Sequence, residues 1–360
     1  MDRTTVDIYG ARAAEFARAR RPRAARMAAA KALATLAAGG VRADLGCGPG
    51  RYAVALGSPL VALDAAGPML ELTRRRAPAA LLVQADLEAL PLARQTLRGA
   101  FAANSYLHVP ASRLPLALAQ LHRSLCEGAP LLATMLSGSY EGRHLEGDDF
   151  PGRYFTLWEQ GALADVMVGA GFEISRLDQG PAGRGGVRRL VVQARRARTL
   201  PDTVGPGMQV LVCGLNPSLY AADTGIPFAR TGNRFWPAAV AAGLVDKGWD
   251  PDAALADHGV GMTDLVKRAS RSASELSPSE YREGAARLER LVAWLRPKVL
   301  CVVGLSGWRA AVDPRAQPGP QPSPLAGVPV YLVPSSSGRN AHQTFDDLVS
   351  RLQAARALAP

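Results

Sequence analysis

The run Asp44-Leu45-Gly46-Cys47-Gly48-Pro49-Gly50 places a tight glycine turn directly after a short apolar stretch, VRADL. Such a turn lets the backbone approach a ligand closely. Arg51 stands where the third glycine of a dinucleotide fingerprint would fall. An acid two residues ahead of the first glycine suits a cationic amino-acid moiety better than a pyrophosphate. Asp64 closes the next apolar stretch, LVALD, where a carboxylate can accept both hydroxyls of a ribose. Asp86 closes the one after, LLVQAD, near the place an adenine would lie. Three acids at three successive strand ends put a ligand at the carboxyl edge of a sheet. His108, at the end of a fourth such stretch, is either a base or a satisfied structural residue, and the second role is the commoner one for a lone histidine.

A second set lies in CGLNPSLYAADTGIPFARTGNRFW, residues 213–236. Asn216 follows a strand that ends at Gly214, and Pro217 stiffens the turn, which presents a polar side chain at a sheet edge. Phe228 sits between Pro227 and Ala229 as a stacking platform. In NRFW, Asn233 reads as a helix cap, with Phe235 and Trp236 in the core. Far along the chain, VPSSSGRNAH (333–342) runs from a strand into small hydroxyl residues, Gly338 and then Arg339. Small residues let a backbone lie close to phosphates, and a long arginine behind them can fill the hole left by an extruded base.

The elements that must position these residues are α/β throughout. Strands are expected at 41–46, 60–64, 81–86, 100–107 and 131–136, alternating with helices such as 68–76 and 112–126, the rhythm of a parallel sheet covered on both faces. An Ala/Arg-rich helical region, 11–38, precedes them, interrupted at Pro22. After a helix at 156–170, segments 172–177 and 188–196 flank a Gly-rich turn and read as an antiparallel pair. Residues 197–207 combine Pro and Gly without an apolar period, as a linker does. A second α/β domain then runs over 208–360, with strands at 208–217, 299–304 and an edge-like 329–334, and helices at 279–295 and 343–357. The Pro-rich segment 314–329 reads as a surface loop.

A chain of 360 residues with 48% hydrophobic and 20% charged content is too long for one ordinary core and too apolar for a disordered state. No stretch reaches the roughly 18 apolar residues of a membrane span, and the first ten residues lack a secretory core, so a soluble cytoplasmic protein without a membrane partner is expected. The four cysteines, at 47, 126, 213 and 301, are too far apart for a zinc or iron–sulfur motif, so no metal is expected. The net charge of +11, almost all of it arginine, favours a polyanionic partner.

Over residues 35–195 the chain resembles the class I S-adenosylmethionine-dependent methyltransferases. The resemblance implies a Rossmann-like domain, 1–196, in which Asp44, Gly46, Gly48 and Gly50 hold the methionine part of S-adenosyl-L-methionine, Asp64 the ribose and Asp86 the adenine. The strand-four segment reads AANSYLH rather than the [DN]-P-P-[YFW] of nucleic-acid amino-methylating enzymes, so the acceptor is not readable. Over most of 208–355 the GLNPS run, the TG-I-PF…NRFW run, HGVGMTDLVKR (258–268), YREGAARL (281–288) and VPSSSGRNA resemble the mismatch-specific uracil-DNA glycosylase and thymine-DNA glycosylase family.

That resemblance implies an α/β/α sandwich which flips a base out of double-stranded DNA and hydrolyses the N-glycosidic bond of uracil, thymine or ethenocytosine opposite guanine, in base-excision repair. Asn216 would position the attacking water, with Gly214, Leu215, Ser218 and Phe228 around the base. Ser335, Ser336, Ser337, Gly338 and Arg339 would form the insertion loop, with Arg339 the wedge. The family glycine after the N-P pair is Ser218 here, which narrows the pocket. An amide orients water but cannot take its proton, so slow turnover is expected. No lysine is placed for a Schiff base, which makes the expected glycosylase monofunctional. Two other readings stand beside this one: a methyltransferase that uses the glycosylase-like fold to bind DNA, and a non-catalytic damage-binding protein.

Overall fold

The computed structural model describes residues 1–19, 22–182, 186–338 and 343–359. The chain forms two compact units: Met1–Val168 with Phe172–Ala197, and Gly169–Gly171 with Arg198 onward. Among the described residues no helix is long and apolar enough to cross a membrane.

The first unit is built on strands β1 (Val41–Leu45), β2 (Leu60–Asp64), β3 (Leu81–Gln84), β4 (Leu97–Ala103), β5 (Pro130–Ser137), β6 (Glu141–Gly142), β7 (Phe155–Trp158), β8 (Phe172–Gln179) and β9 (Arg189–Arg196). The order β3-β2-β1-β4-β5 is parallel, and β9 runs antiparallel to both β5 and β8. The chain moves outward from β1 through β2 and β3, then returns to the other side of β1 with β4. That reversal opens a crevice at the carboxyl ends of β1 and β4, where ligands bind in open parallel sheets. In β9 the alternate residues Leu190, Val192 and Ala194 are buried, the period-two pattern of a sheet covered on one face. The helix expected over 156–170 starts later, at Gln160, because Phe155 and Trp158 are buried in β7, which pairs with the end of β5.

The second unit carries β10 (Val210–Gly214), β11 (Val260–Asp264), β12 (Val299–Val303), β13 (Gly319–Pro320) and β14 (Val330–Val333), in the order β11-β10-β12-β14-β13. Every residue of β10, β11, β12 and β14 is buried. Alternate residues of β10 feed opposite cores: Val210 and Val212 pack with Phe235 and Trp236, and Leu211 and Cys213 with Leu288 and Val292. This is the signature of a parallel sheet with helices on both faces. Here too the order reverses about the first strand, so the crevice lies at the end of β10.

Three expectations are corrected. The stretch read as a linker is no spacer over its middle: Thr199, Leu200, Asp202, Thr203 and Val204 are buried, and Thr203 exchanges two backbone hydrogen bonds with Met262 of β11. The strand at 329–334 is interior rather than edge-like, because Gly319–Pro320, inside the Pro-rich loop, pairs with its outer side. A proline at that place removes no ladder donor the sheet needs. The strand β11 itself was not expected, since VGMTD is short and has no strong apolar alternation.

The helix Pro278–Leu295 lies hard against the turn that follows β11. A Cβ on Gly284 would stand 2.1 Å from the carbonyl oxygen of Leu265. Gly284→Ala should therefore destabilise the second unit by about 1–3 kcal/mol, the usual cost of overpacking. A urea titration in which its midpoint matches wild type would refute this contact.

Candidate active sites

In the first unit, Asp44 is the last residue but one of β1, at 1% exposure, and its Oδ2 meets no hydrogen-bond donor among the described residues. Burial raises its carboxyl to about 7, and the nearby Asp64 charge pushes the same way. Asp64 is anchored by the backbone: Gly48 N–H donates to Oδ2 at 2.8 Å and Ala66 N–H to Oδ1 at 2.9 Å. Burial nevertheless holds Asp64 above the ordinary carboxylate range. Gly46 has φ +67°, and a Cβ there would stand 2.4 Å from Cβ of Ser105, so only glycine lets the β1 turn meet the β4 turn. A cavity of about 230 Å³ opens at this edge, lined by Asp44, Gly46, Gly48, Asp64, Asn104 and Ser105 among others.

Gly50 and Asp86 are not part of that lining. Gly50 packs against Thr73, whose Oγ1 lies 2.8 Å from where a Cβ would be. The Asp86 carboxylate accepts from the Met1 ammonium at 2.5 Å and from Glu88 N–H at 2.9 Å, and the neighbouring Leu87 faces the cavity instead.

His108 has both ring nitrogens occupied. Nδ1 lies 2.6 Å from the carbonyl oxygen of Tyr154 and so carries the proton, which leaves Nε2 to accept from the Tyr9 hydroxyl at 2.9 Å. Burial drives its pKa down to about 3. A neutral, doubly satisfied imidazole is a structural part of the cavity wall and not a ready base. Arg153 in turn donates to Tyr9 at 2.5 Å and pairs with Asp148.

In the second unit, Asn216 lies two residues past the end of β10 and is half-buried. Its Nδ2 donates to the Arg268 carbonyl at 3.0 Å and to Ser270 Oγ at 2.8 Å. The Ser270 hydroxyl spends its own proton on Ser272 O at 2.8 Å, so it can only accept from Asn216. The amide is thereby locked, with Oδ1 left to accept from a ligand or a water. Sequence reasoning missed Ser270; nothing marks it until the backbone of 265–270 lies beside 214–218, where Val266 N–H bonds Leu215 O and Ser270 N–H bonds Pro217 O.

Asp264 was missed as well, although it stands inside the HGVGMTDLVKR run. It ends β11 directly beside Gly214 in the register, and a Cβ on Gly214 would lie 2.5 Å from its Oδ1 and 3.4 Å from Cζ of Phe228. The carboxyl is buried at 7% exposure, and no described residue donates to it. Burial raises it to about 6, against the pull of Lys267. Phe228 is stacked on Phe235, ring centroids 4.2 Å apart at 25°, and its backbone is held at φ +56°, a conformation aromatic residues seldom adopt. Gly214, Asp264 and Phe228 therefore share one spot at the sheet edge.

The remaining members serve as supports. Ser218 caps the helix Leu219–Thr224 through Oγ, accepting from Ala221 N–H at 3.1 Å, and the Leu215 side chain packs into the core beside Gly307. The helix Phe235–Ala241 has Arg234 at its N-cap rather than Asn233; Asn233 Oδ1, one residue earlier, accepts from Phe235 N–H at 2.9 Å, and Phe235 and Trp236 are fully buried. The segment with Ser335, Ser336, Ser337 and Gly338 lies against 230–234: Arg234 N–H donates to Ser336 O at 3.0 Å, and Gly338 stands so close to Gly232 that a Cβ would be 2.6 Å from its carbonyl oxygen. Arg339 lies outside the described residues.

Two sheets of the same kind, each with an unpaired buried carboxyl at its carboxyl edge, define a two-domain α/β protein with a site in each half. Residues 43–128 match the family model of a methyltransferase domain, and residues 201–357 that of the uracil DNA glycosylase superfamily. Among solved structures, a SAM-dependent methyltransferase from Methanosarcina mazei is 17% identical over 44% of this chain and 92% of its own, with a TM-score of 0.39. The 1,6-didemethyltoxoflavin-N1-methyltransferase of Burkholderia thailandensis, solved with S-adenosylhomocysteine, is 22% identical over 48% and 78%, with a TM-score of 0.40. A complex of the Haloferax volcanii Trm112 methyltransferase activator and a methyltransferase is 16% identical over 54% and 97%, with a TM-score of 0.42.

Because Asp44 is near 7 in the folded protein and near 4 in an unfolded chain, its ionisation opposes folding above pH 7 and not below pH 4. Asp44→Asn should then stabilise the first unit at pH 8 on the order of a few kcal/mol, with the gain vanishing as pH falls toward 4. Urea midpoints at the two pH values test this, and an equal effect at both would refute it.

Proposed function

We propose that the second unit is a monofunctional DNA glycosylase that hydrolyses the N-glycosidic bond of uracil mispaired with guanine, taking thymine or ethenocytosine as lesser substrates. Its partner is double-stranded DNA carrying a mismatched or damaged base. The observation that carries this reading is the pairing of a locked amide, Asn216, with an unpaired buried carboxyl, Asp264, at the ends of adjacent parallel strands. Breaking the bond leaves positive charge on the sugar and negative charge on the departing uracil. Asn216 Oδ1 accepts a hydrogen bond from the water and aims its oxygen at the sugar. Asp264, ionised at pH 7 with a pKa of about 6, takes the proton as the new C–O bond forms. Phe228 offers a ring for the extruded base to stack on. A carboxylate on the adjacent strand supports faster turnover than an amide alone would give.

In the first unit, Asp44 and the Gly46–Gly48 turn fit S-adenosyl-L-methionine. The unpartnered Oδ2 of Asp44 wants a cation, and a Cβ on Gly48 would project into open space, so the turn leaves room for a ligand against its backbone. The bound cosubstrate supplies an electrophilic methyl group. Asp44 pairs with its charged amino-acid end, and Asp64 holds the ribose hydroxyls with the lone pairs the backbone leaves free. His108, neutral and occupied, serves the cavity wall.

Two experiments test these readings. Under excess enzyme, duplexes with uracil, thymine or ethenocytosine opposite guanine should release base, uracil fastest, leaving an abasic site that only alkali cleaves. Asn216→Ala and Asp264→Asn should each slow release by about a hundredfold or more; wild-type rates in either variant would remove that residue from the mechanism. In calorimetry, S-adenosyl-L-methionine should bind wild type about tenfold tighter at pH 8 than at pH 6, since a cation prefers the ionised Asp44. Asp44→Asn should bind weakly at both, and a pH-independent wild type would sink the assignment.

A further inference from the structure

Beneath Asp264 lies a closed ring of buried polar groups that the proposed reaction does not touch. Asp202, at 2% exposure, accepts three charged or polar donors: Thr263 Oγ1 at 2.7 Å and Lys267 Nζ at 2.6 Å on Oδ1, and Arg287 Nη1 at 2.8 Å on Oδ2. Arg287 uses its other nitrogen, Nη2, on Thr263 Oγ1 at 3.0 Å and on the backbone carbonyl of Asp264 at 2.9 Å. Lys267 Nζ also donates to Leu200 O at 2.6 Å. The ring thus ties the 199–204 segment and the helix Pro278–Leu295 to the last two residues of β11.

Burying two cations this way is costly unless they are fully paired. The charges balance only when both Asp202 and Asp264 are ionised, yet neither cation donates to the Asp264 carboxylate. Asp202 absorbs both. The carboxylate of Asp264 consequently feels two positive charges at a distance while its oxygens stay free for a water. The charged and titratable groups that face it are Asp202, Lys267, Arg287 and the buried thiol of Cys213.

We propose that Asp202 is a positioning residue for the second site: by holding Lys267 and Arg287 away from the Asp264 carboxylate, it keeps that group aimed, unpaired and available to take a proton. The proposal rests on the glycosylase reading above and on Asp264 as its base. Without Asp202 the two cations turn to the nearest anion, which is Asp264. A salt-bridged Asp264 loses the lone pairs that meet the water and gives up its proton at lower pH.

The test is the single-turnover rate of uracil release from a uracil–guanine duplex between pH 4.5 and 9, on the full chain. Wild type should rise through about pH 6 to a plateau. Asp202→Asn should move that limb down by a pH unit or more and lower the plateau at least tenfold, and Asp202→Glu should restore much of both. Lys267→Met, which removes a cation and leaves Asp202 in place, should move the limb the other way, to higher pH. A residue needed only for packing would lower rates without moving the limb in opposite directions. If Asp202→Asn fails to fold, Lys267→Met still decides through the direction of its shift. Release with an unmoved limb in the variants sinks this proposal and leaves the glycosylase reading standing. No release by wild type sinks that reading, and this proposal with it.

Discussion

A carboxyl group buried near the end of a parallel strand, with no donor among the described residues, is costly for a fold to carry, and each unit holds one, Asp44 and Asp264. Asp44 is the last residue but one of β1 and Asp264 the last of β11, each next to the point where the sheet order reverses. Most buried polar groups find partners. An exception persists only where surrounding structure forces it, and here the forcing is visible. Gly46 allows the β1 turn to press against Ser105, and Gly214 allows Asp264 and Phe228 to close on the end of β10.

The support around each carboxyl comes from distant parts of the chain. In the second unit, the amide of Asn216 is fixed by the backbone of 268 and the hydroxyl of Ser270, and the end of β11 by a ring that reaches back to Asp202 and forward to Arg287. Such a site depends on the whole sheet being in register, because a shift of one residue would reverse the face on which each group stands. The close contact of Gly284 with the Leu265 carbonyl belongs to the same design, since it seats the helix that bears Arg287.

What could be read beforehand follows from this geometry. Asp44, Gly46, Gly48 and Asp64 lie in two short runs, each ending an apolar stretch, and all four line one cavity, so a tight turn of this kind shows itself in consecutive residues. The placement of Asn216 past the end of β10 and the burial of Phe235 and Trp236 were legible for the same reason. Asp264 was not: VGMTD has no alternation, and its acid gains meaning only when Gly214 lies beside it. Asp202 was hidden further, because TLPDTVGPG has the composition of a spacer and its partners are 61 to 85 residues away. The role of Ser270 likewise exists only through pairing with Pro217. Asp86 lay further from its expected place, since β3 stops at Gln84 and its carboxylate takes the Met1 ammonium and the Glu88 N–H outside the cavity lining.

The two carboxyls are raised by the same burial and differ in their neighbours, and that difference separates their chemistry. Asp44 has another acid, Asp64, as its near charge, and no cation among the causes of its shift. At about 7 it is part neutral and part ionised at neutral pH, and positive charge on a ligand would favour the ionised form, as the proposed recognition role requires. Asp264 has two cations behind it, both already committed to Asp202. At about 6 it is mostly ionised at neutral pH without a ligand, as the base proposed for this site requires. On the functions proposed for the two units, one motif, a buried carboxyl near a strand end, would serve binding in the first and proton transfer in the second, according to whether the charge beside it is an acid or a cation held at arm's length.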